Sequence, residues 1–334
     1  MTDATRRRAA GLALAAALAT LPLGEARAQG SWQPTERVNY LIGVAPGGTV
    51  DLYARGIKDQ LEALKLVNGQ TVLAENRVGA GGAIALQALA QQAGNGHWLG
   101  TFHTGAIAGA VTGLIKADVK QFPPVAMMVE ETSVVAVRAD SPIQTAADLV
   151  AALKANAAAL KIAVAPALGQ NTHLAIAKPL KVAGVAIDRL TIAPFRSSGE
   201  SVNALLGGHV DVVSATAPVV VPHVQAGKLR LVASAAPQRG TGPLAELKTW
   251  REQGVAADYV SYNGVMLPPR ATPEQQRFWE AALRRVSQSP EWVALVEKSG
   301  NRPIFRGREE SLKYVEDEWK ATTELATELG LVAK

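Results

Sequence analysis

Residues 44–55 read Val-Ala-Pro-Gly-Gly-Thr-Val-Asp-Leu-Tyr-Ala-Arg, and their types suit one kind of chemistry, the holding of an anion. Pro46-Gly47-Gly48 follows a strand-like run that ends at Val44, and glycines there let the backbone approach a ligand closely. Thr49 can cap a helix starting at Val50, whose first amides lack intrahelical partners and whose dipole favours negative charge. Asp51 complements the same dipole. A tight turn with an N-cap and no ligand would use the same residues, and this loop alone does not separate the two.

Three further loops join strands to helices. Asn76-Arg77-Val78-Gly79-Ala80-Gly81-Gly82 has the look of a dinucleotide loop, with Arg77 as its anchor, but Ile84 stands where a third Gly or Ala belongs. No Asp or Glu occurs from Arg77 to Lys116 to meet a ribose, which argues against a nicotinamide cofactor, and none is expected. Gly169-Gln170-Asn171-Thr172-His173 and Phe195-Arg196-Ser197-Ser198-Gly199-Glu200 are small polar loops ahead of helical runs. Arg196 could clamp a carboxylate in bidentate fashion or stand solvated, and Glu200 reads as a first-turn acid.

Catalytic patterns are missing. There is no G-x-S-x-G elbow, no phosphate loop ending in Gly-Lys-Ser/Thr and no H-E-x-x-H. His97, His103, His173, His209 and His223 are too scattered for a metal set, and no cysteine is present to ligate zinc or attack a substrate. Polar loops without an acid–base pair describe binding rather than turnover.

The elements that must position these loops alternate. Strand-like runs occur at 38–44, 71–75, 98–102, 125–129, 134–137, 160–164, 190–193, 210–214, 229–233 and 259–266, several of them apolar throughout, as in a mainly parallel sheet. Val50, Tyr53, Ile57, Leu61 and Leu64 give one helix an apolar face. Thr145 with Asp148, and Thr272 with Gln275, form capping boxes, and Ser289-Pro290 repeats the device. A last helix is predicted from Glu309 to Leu329. The pattern implies two α/β lobes, residues 29–130 plus 236–334 and residues 131–235. Stiff crossing strands near 125–137 and 229–236 would act as a hinge, with a cleft between the lobes.

Composition agrees with a packed protein: 48% of the 334 residues are hydrophobic and 19% charged. Arg6-Arg7-Arg8, an apolar run from Ala9 to Leu23 and Ala26-Arg27-Ala28 have the form of an export leader cleaved near Ala28, by the Sec or the twin-arginine route. The remaining chain would carry a net charge of +3, too mild and too scattered to favour nucleic acid.

At these loops the chain resembles a known family. APGGTVDLYAR, VLAENRVGAGGAIA, the GQNTHL loop and FRSSGESVNALLGGHVDVV occur in the order seen in the Bug family, the periplasmic solute-binding receptors of tripartite tricarboxylate transporters. The resemblance implies a Venus-flytrap fold closing on a small organic acid. It assigns Gly47, Gly48, Thr49 and Asp51 to a carboxylate loop and Thr104 and Gly105 to the loop after the third strand. From the second lobe it brings Gly169, Gln170, Thr172, Arg196, Ser197 and Ser198, and then Ala215 and Thr216. Val78, Ala85 and the Phe195-Arg196-Ser197 stretch depart from the usual pattern, as does the third-strand region.

The expectation is therefore a two-lobed α/β periplasmic binding protein with an interlobe cleft and two crossing strands, not an enzyme. It would act as a monomer on a di- or tricarboxylate, an amino acid or an aromatic carboxylate, passing it to a membrane permease or a sensor. An exported α/β hydrolase-like enzyme without a recognisable motif is the first alternative, and a partner-binding module that has lost its ligand is the second.

Overall fold

The computed structural model describes residues 32–332, and from Gln33 onward they form one compact unit. The leader and its cleavage pattern lie outside the described residues. Two sheets organise the chain. The first holds β1 (Val38–Ile42), β2 (Val72–Asn76), β3 (Trp98–His103), β4 (Pro124–Glu131), β10 (Ser261–Met266) and β11 (Arg302–Arg306), in the order β11-β4-β10-β3-β1-β2. The second holds β5 (Ser133–Arg138), β6 (Lys161–Val164), β7 (Thr191–Pro194), β8 (Val212–Thr216) and β9 (Leu229–Ser234), in the order β7-β6-β8-β5-β9.

Both sheets are mixed rather than mainly parallel, because β10 runs antiparallel to β3 and β4, and β5 antiparallel to β8 and β9. All ten predicted strands are present, each end within two residues of its predicted place. The strand that sequence missed, β11, contains Pro303 and pairs only with β4, an edge position where proline is tolerated.

Helices α1 (Thr49–Ala63), α2 (Ala83–Ala90) and α3 (Thr104–Val111) follow β1, β2 and β3. In the second lobe α4 (Ala146–Ala155), α5 (Asn171–Val182), α6 (Ser198–Leu206) and α7 (Ala217–Gln225) follow β5, β6, β7 and β8. Then α8 (Pro273–Ser287), α9 (Pro290–Lys298) and α10 (Arg308–Glu328) return to the first lobe. The boxes at Thr145 and Thr272 form with both reciprocal bonds, which fixes the starts of α4 and α8.

Alternation along β5 splits the second core between two faces. Val135 and Val137 pack with Leu149, Leu174 and Trp250, while Val134 and Ala136 pack with Val202, Leu205 and Leu244. Trp250, Val255 and Tyr259 thus pack on the second lobe, although sequence placed everything from 236 with the first. The intervening segment has no Gly/Ser-rich linker; its apolar residues are spaced among turns and find their burial beside β9. Tyr259 N–H donates to Ala235 O at 2.8 Å, so the return crossing is made at 259–261, next to the end of β9.

The crossings set the geometry of the lobe boundary. β4 ends at Glu131, Thr132 passes between lobes, and β5 starts at Ser133, opposite Thr216 at the end of β8. Thr132 is gripped from both sides: its N–H donates to Asn301 Oδ1 at 2.9 Å and its carbonyl accepts from Ala217 N–H at 3.1 Å. Since β1 and β3 run parallel to β4, and β6 and β7 parallel to β8, all six carboxyl ends lie at this boundary. β1 sits between β2 and β3, so the β1–β3 junction is a topological switch point.

Candidate functional site

The β1–α1 loop is built to leave donors open. Pro46, Gly47 and Gly48 are exposed, and Gly47 holds φ at +85°, a left-handed conformation that a side chain would resist. Gly48, not Thr49, occupies the N-cap position, with extended backbone and no side-chain cap. Thr49 is the first helical residue, and its hydroxyl turns away to donate to Glu131 Oε1 at 2.7 Å. The Gly48, Thr49 and Val50 amides consequently have no hydrogen-bond partner among the described residues.

Two expected contributors are used inside the loop. The Gly47 amide donates to Asp51 Oδ2 at 3.0 Å, so it is not one of the open donors. Asp51 is only 4% exposed and also accepts from Asn76 Nδ2 at 2.8 Å and Arg55 Nε at 3.1 Å. Burial opposes its ionisation, but the Arg55, Gly47 and Asn76 bonds together hold the carboxyl below its ordinary range. Asp51 is the anchor that fixes the loop, and its charge is already matched.

Thr104 is likewise internal. Its hydroxyl accepts from Tyr262 N–H at 2.9 Å and meets the Tyr314 hydroxyl at 2.9 Å, tying α3 to β10 and α10. Gly105 leaves space rather than a contact: a Cβ there would come within 2.9 Å of His103 Nδ1 and 3.4 Å of Asn171 Nδ2. His103 was read from sequence as structural. It stands at the last position of β3, and no partner is recorded for either ring nitrogen. Burial lowers its pKa to about 4, so the ring is neutral at neutral pH.

In the second lobe Thr172 and Gln170 also serve the fold. Thr172 Oγ1 donates to Ala165 O at 2.7 Å and accepts from Ala165 N–H at 2.8 Å. Gln170, with its amide oriented to satisfy both ends, donates to Gly105 O at 3.2 Å and accepts from Gly109 N–H at 3.1 Å. Gly169, at φ +74°, packs so closely on the first lobe that a Cβ would lie 2.5 Å from Thr112 Cγ2. Asn171 completes this junction, donating to Ser261 Oγ at 2.8 Å and accepting from Tyr259 OH at 3.2 Å. The N-terminus of α5 therefore docks on α3 and β10.

Ala215 is fully buried in β8 and presents no polar side chain. Ser197 caps α6 by accepting from Glu200 N–H at 3.2 Å, and Glu200 Oε2 accepts from Arg196 N–H at 3.1 Å, so the first-turn acid stabilises its own loop. The exposed Arg196 guanidinium and the Ser198 and Thr216 hydroxyls remain uncommitted. Beneath the first-lobe loop lies a carboxyl that sequence reading passed over. Glu131, 6% exposed, has its basicity raised by burial, against the Thr49 bond and the nearby Asn263 amide. Asn263 is close to it, yet neither atom of its amide makes a hydrogen bond of ordinary geometry. The clue in the sequence was Glu130-Glu131 closing an otherwise apolar strand.

Among the described residues no group of three His, Asp or Glu side chains could hold a metal ion, and no helix is long and apolar enough to cross a membrane.

Comparisons with known proteins agree in one direction. Residues 54–331 match the family described as tripartite tricarboxylate transporter family receptor. A Cupriavidus necator protein of the UPF0065 group is 28% identical, the alignment covering 96% of each chain. BugT of Bordetella pertussis is 26% identical over 90% of this chain and 91% of its own. An R. palustris protein solved with adipate superposes with a TM-score of 0.76 at 25% identity, covering 90% of this chain and 99% of that one.

Proposed function

Since the chain belongs to the tripartite tricarboxylate transporter receptor family, we propose that it captures a small organic carboxylate between its lobes and delivers it to a membrane permease. Membership of a receptor family supports a periplasmic location, and we read residues 1–28 as the leader that exports it. One observation carries the ligand class: the unpartnered Gly48, Thr49 and Val50 amides, at the positive end of a 15-residue helix beside the β1–β3 switch point. Three converging N–H groups and a helix dipole suit a carboxylate better than a neutral or cationic group.

Arg196, Ser198 and Thr216 stand on the opposite lobe and would meet the other end of the ligand. A ligand touching both lobes favours the closed arrangement by the contacts it makes only there. The adipate in the R. palustris relative supports a linear acid with polar groups at both ends.

A thermal-shift screen with adipate, malate, glutamate and benzoate tests this reading. A ligand present at one hundred times its dissociation constant adds about 2.7 kcal/mol, which moves a melting temperature by several degrees. Saturable stabilisation by one class of acid is the expected result. No shift with any of them would overturn the carboxylate reading.

A further inference from the structure

His103 and its β10 neighbour Asn263 differ from the side chains that brace the first lobe's inner edge. Thr49, Asp51 and Thr104 all have side-chain partners, whereas neither nitrogen of the His103 ring has one recorded. The ring borders a cavity of about 20 Å³, room for about one water, together with Gly43, Gly82, Thr101, Ala106 and Ile115. At one end of that cavity stand Gly43, which follows β1, and His103, which ends the neighbouring β3, and the rest of the lining is apolar, with Leu41, Leu86, Leu89 and Met266. Gly43 N–H donates to Thr101 Oγ1 at 3.3 Å, which holds the two strand ends together.

The second lobe reaches the same place. His103 Nδ1 and Asn171 Nδ2 both lie within 3.4 Å of the space that a Cβ on Gly105 would fill, so the ring stands where α5 docks. Asn171 is committed to Ser261 and Tyr259, which leaves His103 as the uncommitted member of the pair.

We propose that His103 is a specificity-determining residue, a ring that meets the carboxylate held at the first turn of α1 and gains a proton from solvent as that anion binds. The inference rests on the receptor reading given above. The neighbours identified around the ring carry no charge: Gly43 on β1, Gly82 before α2, Gly105 and Ala106 on α3, Asn263 on β10 and Asn171 on α5. Glu131, the buried acid at the end of β4, is engaged by Thr49 under α1. Burial alone accounts for the low basicity of the empty site, so an arriving anion would be the first charge to act on the ring. Protonation converts a neutral contact into a charge-assisted one, which selects carboxylates over neutral analogues of the same shape.

Isothermal titration of the full chain tests this, using whichever of adipate, malate, glutamate and benzoate gives the largest thermal shift. At pH 6 the binding enthalpy should differ between phosphate and a high-ionisation-enthalpy buffer by the amount that proton uptake demands. Affinity should rise by about tenfold from pH 8 to pH 6 if the bound ring titrates near neutrality. His103→Gln should fold, bind about tenfold more weakly at pH 6, and lose both the buffer dependence and the pH dependence. Should the wild-type protein bind an acid with buffer-independent enthalpy, the inference is overturned and the receptor reading stands; that measurement needs no variant. Unchanged affinity and proton uptake in His103→Gln would overturn it equally. If none of the four acids binds, the receptor reading fails and takes the inference with it.

Discussion

Thr49 Oγ1 donates to Glu131 Oε1 at 2.7 Å, joining the first turn of α1 to the residue at which the chain leaves the first lobe. The hydroxyl that could have capped the helix is spent on a buried carboxyl, and the amides beneath it stay open. The β1–α1 loop and the crossing strand are one mechanical unit.

Glu131→Gln should retain the Thr49 bond while removing a charge that burial disfavours. The folded carboxyl holds its proton more tightly than the unfolded one, so wild-type stability falls as pH rises past the unfolded value of about 4.5 and stops falling above the folded value. The variant should match wild type at pH 4 and be more stable by about 1 kcal/mol at pH 8, measured by urea unfolding. A variant that loses ground as pH rises would contradict this.

Asp51→Ala should loosen the loop and leave Gly47, Asn76 and Arg55 without their shared acceptor. We expect a loss of about 2 kcal/mol at pH 7 and more than tenfold weaker binding of the captured acid. Because the folded pKa is lowered, the wild-type advantage exists above the unfolded value and fades as pH falls through the folded one. Paired denaturation curves at pH 7 and pH 3 measure it.

His173 Nδ1 accepts from Gly169 N–H at 2.9 Å, which places the ring proton on Nε2, a buried atom with no partner. Burial lowers the His173 pKa from 6.5 to about 4, so the unfolded chain binds the extra proton first and stability drops as pH falls between those values. The cost is on the order of 3 kcal/mol for one such ring. Thermal unfolding of His173→Gln should show a visibly flatter slope between pH 7 and pH 4, with the rest of the slope owed in part to His103.

Much of this architecture was legible in the chain. Thr145 and Thr272 announce their helices because capping chemistry is local, and the apolar runs at Val134–Val137 and Val125–Val129 can only be buried strands. β11 was not legible, since Arg302-Pro303-Ile304-Phe305-Arg306 lacks alternation and gains its pairing only from the exposed edge of β4. The packing of Trp250 on the second lobe was hidden for a similar reason: no local pattern says which of two cores an isolated aromatic will enter. At the site, the Gly47-Gly48 loop could be read, but Asp51, Thr104, Gln170 and Thr172 prove to be supports. Their partners, Asn76, Tyr314, Gly105 and Ala165, come from distant segments or a turn whose closure only the fold sets. The role proposed for His103 has no signature in the chain, because a lone histidine closing a strand reads as structural.

The central claim is that open backbone donors at the start of α1 hold the ligand carboxylate, and Gly48 allows it to be tested one hydrogen at a time. Its φ of −82° and ψ of 170° suit proline, and an added Cβ would meet nothing closer than Ala45 O at 3.9 Å. Gly48→Ala keeps the N–H and Gly48→Pro deletes it. The measurement is the dissociation constant of the captured acid for both variants beside wild type. Near-wild-type binding by the alanine variant with a loss of about tenfold in the proline variant is the predicted result; equal affinities for the two would contradict it.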